Sequence, residues 1–203
     1  MSLREKYNEL AKKYGWLHPS GEYIADFSDK GSVHTYMDFY DKFMITKFND
    51  IKLLEIGILT GGSIHLWQQY FDNYYIAGVD LATGWYKGKV LPYHSKIIND
   101  KNIELYFGYD SRRSVPKELL NKQFDFIIDD ANHGIHAQVA TLENYWPLLC
   151  IGGTYFVEDL HDINKVKIIN KVLNNLDSKF VTEVYEGRID SRRDDRILAI
   201  TKL

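Results

Sequence analysis

Three acidic segments hold residues able to do chemistry, and each closes a hydrophobic run. Leu54-Glu55-Ile56-Gly57 is the first, Phe126 to Asp130 the second and Tyr155 to Asp159 the third. Buried parallel strands read as continuous apolar runs, and open α/β sheets bind ligands beyond the carboxyl ends of their strands. Carboxylates at several such ends therefore point to one shared site for a cationic ligand or a hard metal ion. If Asp130, Glu158 and Asp159 meet at adjacent strand ends, three like charges cannot all stay ionised cheaply without a cation. Oxygen-only ligation favours Mg²⁺, Mn²⁺ or Ca²⁺ over zinc. His133 follows Asp130 by three residues at a helix start, a suitable place for a general base beside the ion. The plainer reading makes Asp129 and Asp130 helix caps and His133 a solvated residue.

A second constellation is Glu55-Ile56-Gly57-Ile58-Leu59-Thr60-Gly61-Gly62-Ser63. Glycines after a strand let backbone N–H groups approach a ligand at a helix N-terminus. The dinucleotide fingerprint wants glycine where this chain has Leu59, which disfavours close approach of a pyrophosphate. Asp80, 25 residues beyond Glu55, ends the second strand, where a carboxylate can accept both hydroxyl hydrogens of a ribose. Ribose binding without pyrophosphate binding points to an adenosyl ligand; alternatively, Gly57 and Gly61 only make a turn and Asp80 only caps.

The elements that must carry these residues alternate strand and helix after a helical preamble. Residues 4–13 read as a helix, and a polar link from Trp16 to Ser32 leads to a second helical stretch with Tyr36, Phe39, Tyr40 and Phe43 on one face. Strands are expected at 52–56, 75–80, 103–107, 124–129 and 154–158, with an irregular segment over 81–92 and Gly152-Gly153 turning the chain into the last of them. Helices are expected after Gly57–Ser63, along Ile135, Val139 and Leu142, and over 162–176. The runs 179–186 and 196–202 are separated by only nine residues, too few for a helical crossover, so they pair as an antiparallel hairpin.

Composition sets the outer limits. The chain has 203 residues, 45% of them hydrophobic, enough for one domain with a substantial core. Its 25 Lys and Arg are dispersed among 28 Asp and Glu, which leaves no footprint for nucleic acid. No 18-residue apolar run suggests membrane insertion, and the charged start is unlike a signal peptide, so a cytoplasmic location is expected. Cys150, the sole cysteine, is given packing rather than a functional role.

These motifs resemble the class I S-adenosylmethionine-dependent methyltransferases, whose first motif reads Glu-x-Gly-x-x-x-Gly-x-Ser in some branches. The resemblance covers roughly residues 28–203 and implies an α/β, Rossmann-like fold: a seven-stranded, mostly parallel sheet ending in an antiparallel hairpin, with N-terminal helices. It treats 1–203 as one methyltransferase domain, 1–50 contributing to the substrate pocket and 51–203 forming the core. It also implies cofactor contacts from Glu55, Gly57, Gly61 and Ser63, a ribose contact from Asp80 and an adenine contact from Asp110.

Asp-Asp-x-x-His, Glu-Asp and Ser28-Asp29-Lys30-Gly31-Ser32-Val33-His34-Thr35-Tyr36 further resemble the metal-dependent sugar O-methyltransferases of macrolide and glycan pathways. Ala131-Asn132 stands where Gly-Ser is common, a change that removes no ligand. That resemblance implies Mg²⁺ (or Mn²⁺) on Asp130, Glu158 and Asp159, His133 as base, and a substrate pocket near His34 and Tyr36. The acceptor would be a sugar or glycan, and a homo-oligomer is compatible. His161, close behind Glu158-Asp159, is expected at the pocket border, with His136 as a supporting group. Trp16, Trp85, Tyr86 and Tyr109 are candidates for ring stacking, and 187–195 reads as a solvated loop. Three other readings stay open: methylation of a catechol-like phenol, a nicotinamide-dependent oxidoreductase, and a noncatalytic glycan-binding module.

Overall fold

The computed structural model describes residues 1–14, 27–45, 50–82, 91–176, 179–187 and 195–203; Trp16, Trp85, Tyr86 and residues 188–194 lie outside the described residues. Helices α1 (Leu3–Tyr14) and α2 (Met37–Met44) precede a sheet of seven strands. Strands β1 (Ile51–Ile56), β2 (Tyr74–Asp80), β3 (Ile103–Phe107), β4 (Phe124–Asp129) and β5 (Leu149–Val157) run parallel, and the hairpin β6 (Phe180–Glu186) and β7 (Arg196–Lys202) closes one edge antiparallel. The strand order is β3-β2-β1-β4-β5-β7-β6. Helices α3 (Gly62–Tyr70), α4 (His94–Ile98), α5 (Ile135–Tyr145) and α6 (Asn164–Asn175) complete the layers.

The central strands are apolar because both of their faces are covered. Along β1, Leu53 packs into a core with α1, α2 and α3, whereas Leu54 and Ile56 enter the opposite core with Leu142 of α5 and Ile169 of α6. This alternation follows the two-residue period of a strand, and helices on both sheet faces are its consequence. The chain order reverses between β1 and β4, so the carboxyl ends of these two strands splay a crevice open. Asp80, Asp129 and Glu55 all lie at that end of the sheet.

Two expectations about the elements change. Strand β5 begins at Leu149, five residues before Thr154, and Gly152-Gly153 lies within it. The register jumps from Phe124 opposite Leu149 to Phe126 opposite Thr154, so the extra residues bulge out, with Gly152 at φ 77°. Helix α4 adds an element to the expected set: it is a five-residue turn of helix anchored by buried His94 and Ile97, too short for periodicity to reveal.

The N-terminal layer is fastened by aromatic packing. His65 of α3 stacks parallel to Tyr93 at 5.2 Å between ring centroids, meets the edge of Tyr14 at 5.4 Å, and pairs through Nδ1 with Gln68 Oε1 at 2.8 Å. Burial pushes its pKa down from 6.5 to about 4. Between these values the unfolded chain binds a proton that the folded chain refuses, so His65 costs stability progressively as pH falls from 6.5 to about 4. Thermal unfolding of His65→Gln and the native chain across this window is the check. The native chain should lose more of its melting temperature on acidification, and parallel curves would refute the assignment.

Candidate active site

A cavity of about 330 Å³ opens at the carboxyl ends of β1, β2 and β4, lined among others by Gly57, Leu59, Asp80, Asp110 and Asp130. A smaller recess beside it shares Gly57, Leu59 and Asp130 and adds Ser63 and residues of the 27–29 segment. The glycine-rich turn between β1 and α3 forms the floor shared by both. Gly57 has φ 96°, and a Cβ there would stand 2.2 Å from the Asp130 carbonyl oxygen. Only glycine lets the ends of β1 and β4 meet this closely. Leu59 also adopts a left-handed conformation, φ 49°, while its side chain lines the cavity.

Asp80 braces this turn. Its Oδ2 accepts hydrogen bonds from the amides of Ile58 at 2.7 Å and Leu59 at 3.1 Å, and its Oδ1 accepts one from Ala82. The capping role and the cavity position therefore coexist in one carboxylate. Asp110 receives a bidentate grip from Arg112, with Nε and an Nη both at 2.7 Å, which holds its carboxyl down at about 2. Tyr109 is brought to the same wall. Glu55, by contrast, is fully buried: it accepts a hydrogen bond from Trp67 Nε1 at 3.0 Å and faces Lys30 at 3.4 Å. Gly61, at φ 78°, caps the start of α3, and Ser63 hydrogen-bonds inward to Glu55.

Beyond Asp130 the acidic residues converge. Ligand atoms of Asp130, His133 and Asp159 lie within 4.8 Å of one another, with His133 Nε2 3.5 Å from Asp159 Oδ2. Glu158 borders this trio but turns its Oε1 to Lys30 Nζ at 2.7 Å and to the Tyr40 hydroxyl. Of the two adjacent aspartates, Asp129 belongs to the interior, where burial pushes its carboxyl up to about 8, and Asp130 to the cavity. Asp159 sits at φ 56°, a strained conformation for aspartate.

Lys30 is the residue that sequence reasoning passed over. It is 1% exposed and sends its ammonium to Asp130 at 2.5 Å, Glu158 at 2.7 Å and Glu55 at 3.4 Å. Burial alone would lower its pKa, but the charges of Asp130, Glu158 and Glu55 outweigh that and hold it well above the ordinary value. Two of the three carboxylates expected to need a cation, Asp130 and Glu158, thus already meet one from the chain itself, and Lys30 adds Glu55 to the group while leaving Asp159 to His34 and His133. One charge is still too few. Burial and the charge of Asp130 push both Glu158 and Asp159 upward despite Lys30, His34 and His133, so full ionisation of the cluster is not compensated by its own cations. That surplus of hard oxygen donors fits a divalent ion of the Mg²⁺ class. The signal for Lys30 in the sequence was a lysine inside a Ser-Asp-Lys-Gly turn, with nothing to show that it points inward.

His34 and Tyr36 are buried beside Asp159, not presented to the cavity. Tyr36 donates to Asp159 Oδ1 at 2.8 Å, and the His34 ring stacks on Tyr36 at 4.9 Å. His161 is exposed, its ring centroid 6.3 Å from that of His133, and His136 is exposed on α5. Replacing Lys30 with Met would leave the two buried carboxylates of Glu55 and Glu158 without the cation they share. In metal-free buffer, urea unfolding of Lys30→Met should show a loss of about 3–5 kcal/mol, as breaking a buried ion pair does. A loss below about 1 kcal/mol would mean the ammonium does not hold these strand ends together.

No protein-family profile matches the chain. Individual relatives do. It is 31% identical, over 66% of its own length and 35% of the relative's, to an 8-demethyl-8-alpha-L-rhamnosyl tetracenomycin-C 2'-O-methyltransferase of Streptomyces olivaceus. It is 28% identical, over 78% of the chain and 37% of the relative, to a demethylmacrocin O-methyltransferase of Streptomyces fradiae. The chain thus spans about a third of the length of the curated relatives it matches. Among solved structures, the MycE methyltransferase of the mycinamycin biosynthetic pathway, in complex with Mg, SAH and mycinamycin VI, superposes with a TM-score of 0.66 at 18% identity, over 97% of this chain and 54% of that one. The chain therefore has the Rossmann-like class I methyltransferase fold and is similar in sequence to sugar O-methyltransferases of antibiotic pathways.

Proposed function

We propose that this chain is an S-adenosylmethionine-dependent, Mg²⁺-dependent O-methyltransferase acting on a sugar hydroxyl of a glycan or glycosylated metabolite. The observation that carries this reading is the double membership of Asp130. It lines the cavity edged by Gly57, Asp80 and Asp110, and it belongs to the trio with His133 and Asp159. A methyl donor and an ion-bound hydroxyl would meet across this one side chain, as an in-line displacement requires. The names of the relatives, which specify methylation of sugar hydroxyls on tetracenomycin, support the acceptor class.

Within that reading, Asp80 accepts the ribose hydroxyls, Asp110 and Tyr109 border the adenine, and Gly57 and Gly61 leave room for the methionine portion. Asp130, Asp159 and Glu158 would hold the divalent ion. When bound, the donor supplies an electrophilic methyl group and the ion supplies Lewis acidity that lowers the hydroxyl pKa. His133, at 32% exposure of its side chain, can accept the hydroxyl proton, and Asp159 at 3.5 Å stabilises the imidazolium that results. His34 and Tyr36, placed at the acceptor by resemblance, are read instead as supports of Asp159. His161 sits where it can meet the acceptor. A homo-oligomer remains compatible with this assignment.

Calorimetric titration of metal-stripped protein with S-adenosylmethionine, then Mg²⁺, then NADH as control tests the cofactors. Saturable binding of the first two without the third is expected; NADH binding without donor binding would favour a dehydrogenase. An acceptor screen of deoxysugar glycosides against diphenols separates the sugar reading from the catechol-type one. Asp130→Asn should lower turnover by about 100-fold or more while S-adenosylmethionine affinity changes by no more than a few-fold. Full metal-dependent turnover in that variant would sink the metal assignment.

A further inference from the structure

Asp159 is flanked on its buried side by a histidine whose other nitrogen faces a second carboxylate. His34 Nε2 lies 3.6 Å from Asp159 Oδ1, and His34 Nδ1 lies 3.6 Å from Asp195 Oδ1. All three residues are withdrawn from solvent: His34 is 3% exposed, Asp195 2% and Asp159 9%. Asp195 immediately precedes β7, at the far end of the hairpin connection from Gly187. Its own position is over-determined. The Thr35 amide and hydroxyl donate to its two oxygens, each at 3.0 Å, and its carbonyl accepts from the Gly187 amide at 2.6 Å. Gly187 has no side chain for a reason: a Cβ there would stand 1.6 Å from Asp195 Oδ2.

Burying a carboxylate that contributes neither to a helix cap nor to a surface ion pair is costly unless it is paired. Its charged form is favoured here: burial opposes ionisation, but the nearby His34 ring and the two hydrogen bonds from Thr35 overcome it and lower its pKa. A carboxylate behind a histidine fixes the ring's orientation, the arrangement that supporting groups around a metal ligand commonly take. Here the histidine steers a ligand carboxylate. The strained φ of Asp159 gives that steering a purpose, since its backbone conformation needs outside support.

We propose that Asp195, acting through His34, is a positioning residue that holds Asp159 in its ion-binding orientation and so ties the β6–β7 hairpin to the metal centre. This rests on the divalent-ion reading of the site. Without the Asp195 charge, His34 turns away, Asp159 loses a partner on its Oδ1 side, and divalent-ion affinity falls while the nucleoside cavity, on the other side of Asp130, is unaffected.

The test combines two independent readouts on the full chain. In metal-free buffer, urea unfolding of Asp195→Asn, Asp159→Asn and the double variant should be non-additive, the double losing less than the sum of the singles, because both act on one His34-linked unit. In the presence of saturating S-adenosylmethionine, Mn²⁺ titration should show about 10–100-fold weaker binding to Asp195→Asn. Thr35→Val loosens the same loop without changing the charge that faces His34, and it should retain most of the Mn²⁺ affinity. Additive stabilities, unchanged Mn²⁺ affinity in Asp195→Asn, or equal weakening in Thr35→Val would each overturn the proposal. Non-additive stabilities in a native chain that takes up no Mn²⁺ or Mg²⁺ would confirm the structural link while overturning the metal-dependent function, so the two failures are distinct.

Discussion

The ammonium of Lys30, reaching from the 28–36 segment into the ends of three strands, is the interaction on which the rest of the site depends. Glu55 closes β1, Asp130 follows β4 and Glu158 follows β5; all three bring negative charge to one buried point. Like charges in a medium of low polarity repel strongly, and the sheet cannot relieve this by moving, because both of its faces are packed. A buried cation on a separate segment offsets the repulsion and, in doing so, draws that segment over the strand ends. The layer formed by α1, α2 and the 27–36 segment is then a consequence of electrostatics as much as of apolar packing.

The same anchoring explains the local chemistry of the loop. Once Lys30 is fixed, the chain from His34 to Tyr36 passes against Asp159 on one side and Asp195 on the other. Gly31 packs so tightly on Tyr7 that a Cβ would come within 2.6 Å of its ring, and the Tyr7 hydroxyl donates to the Ser28 carbonyl. Gly62, at the start of α3, meets the Ser28 amide just as closely, 2.5 Å from where its Cβ would be. These contacts set the loop's height above the glycine-rich turn, and with it the size of the recess beside the main cavity. One acidic cluster therefore has two sides joined at Asp130: Glu55, Glu158 and Asp130 engage the protein's own cation, while Asp130 and Asp159 stay within reach of His133.

The cavity itself owes its position to topology. Because the strand order turns back between β1 and β4, the loops after these strands diverge, and Asp80 on β2 faces the gap. Asp80 also bonds the Ile58 and Leu59 amides, so the turn carrying Leu59 in a left-handed conformation is held rigid before any ligand arrives. Preorganisation of this kind lowers the ordering cost of binding.

What the sequence by itself determined is local or periodic. The apolar runs of 52–56, 124–129 and 154–158 announce buried parallel strands, the short spacing between 186 and 196 demands a hairpin, and acidic residues that close those runs must emerge at one edge of the sheet. The short helix at 94–98, the bulge at 150–153 and the contacts of Lys30, His34 and Asp195 were decided by tertiary structure alone. Each depends on partners far along the chain: Lys30 meets Glu158 across 128 residues and Thr35 meets Asp195 across 160. Periodicity reports which face of an element is buried, but it carries no information on where a loop's side chain ends. Whether a lysine in a polar turn reaches water or an interior carboxylate is settled by the uncompensated charge that the folded sheet has gathered there, and that charge exists only once the strands have assembled.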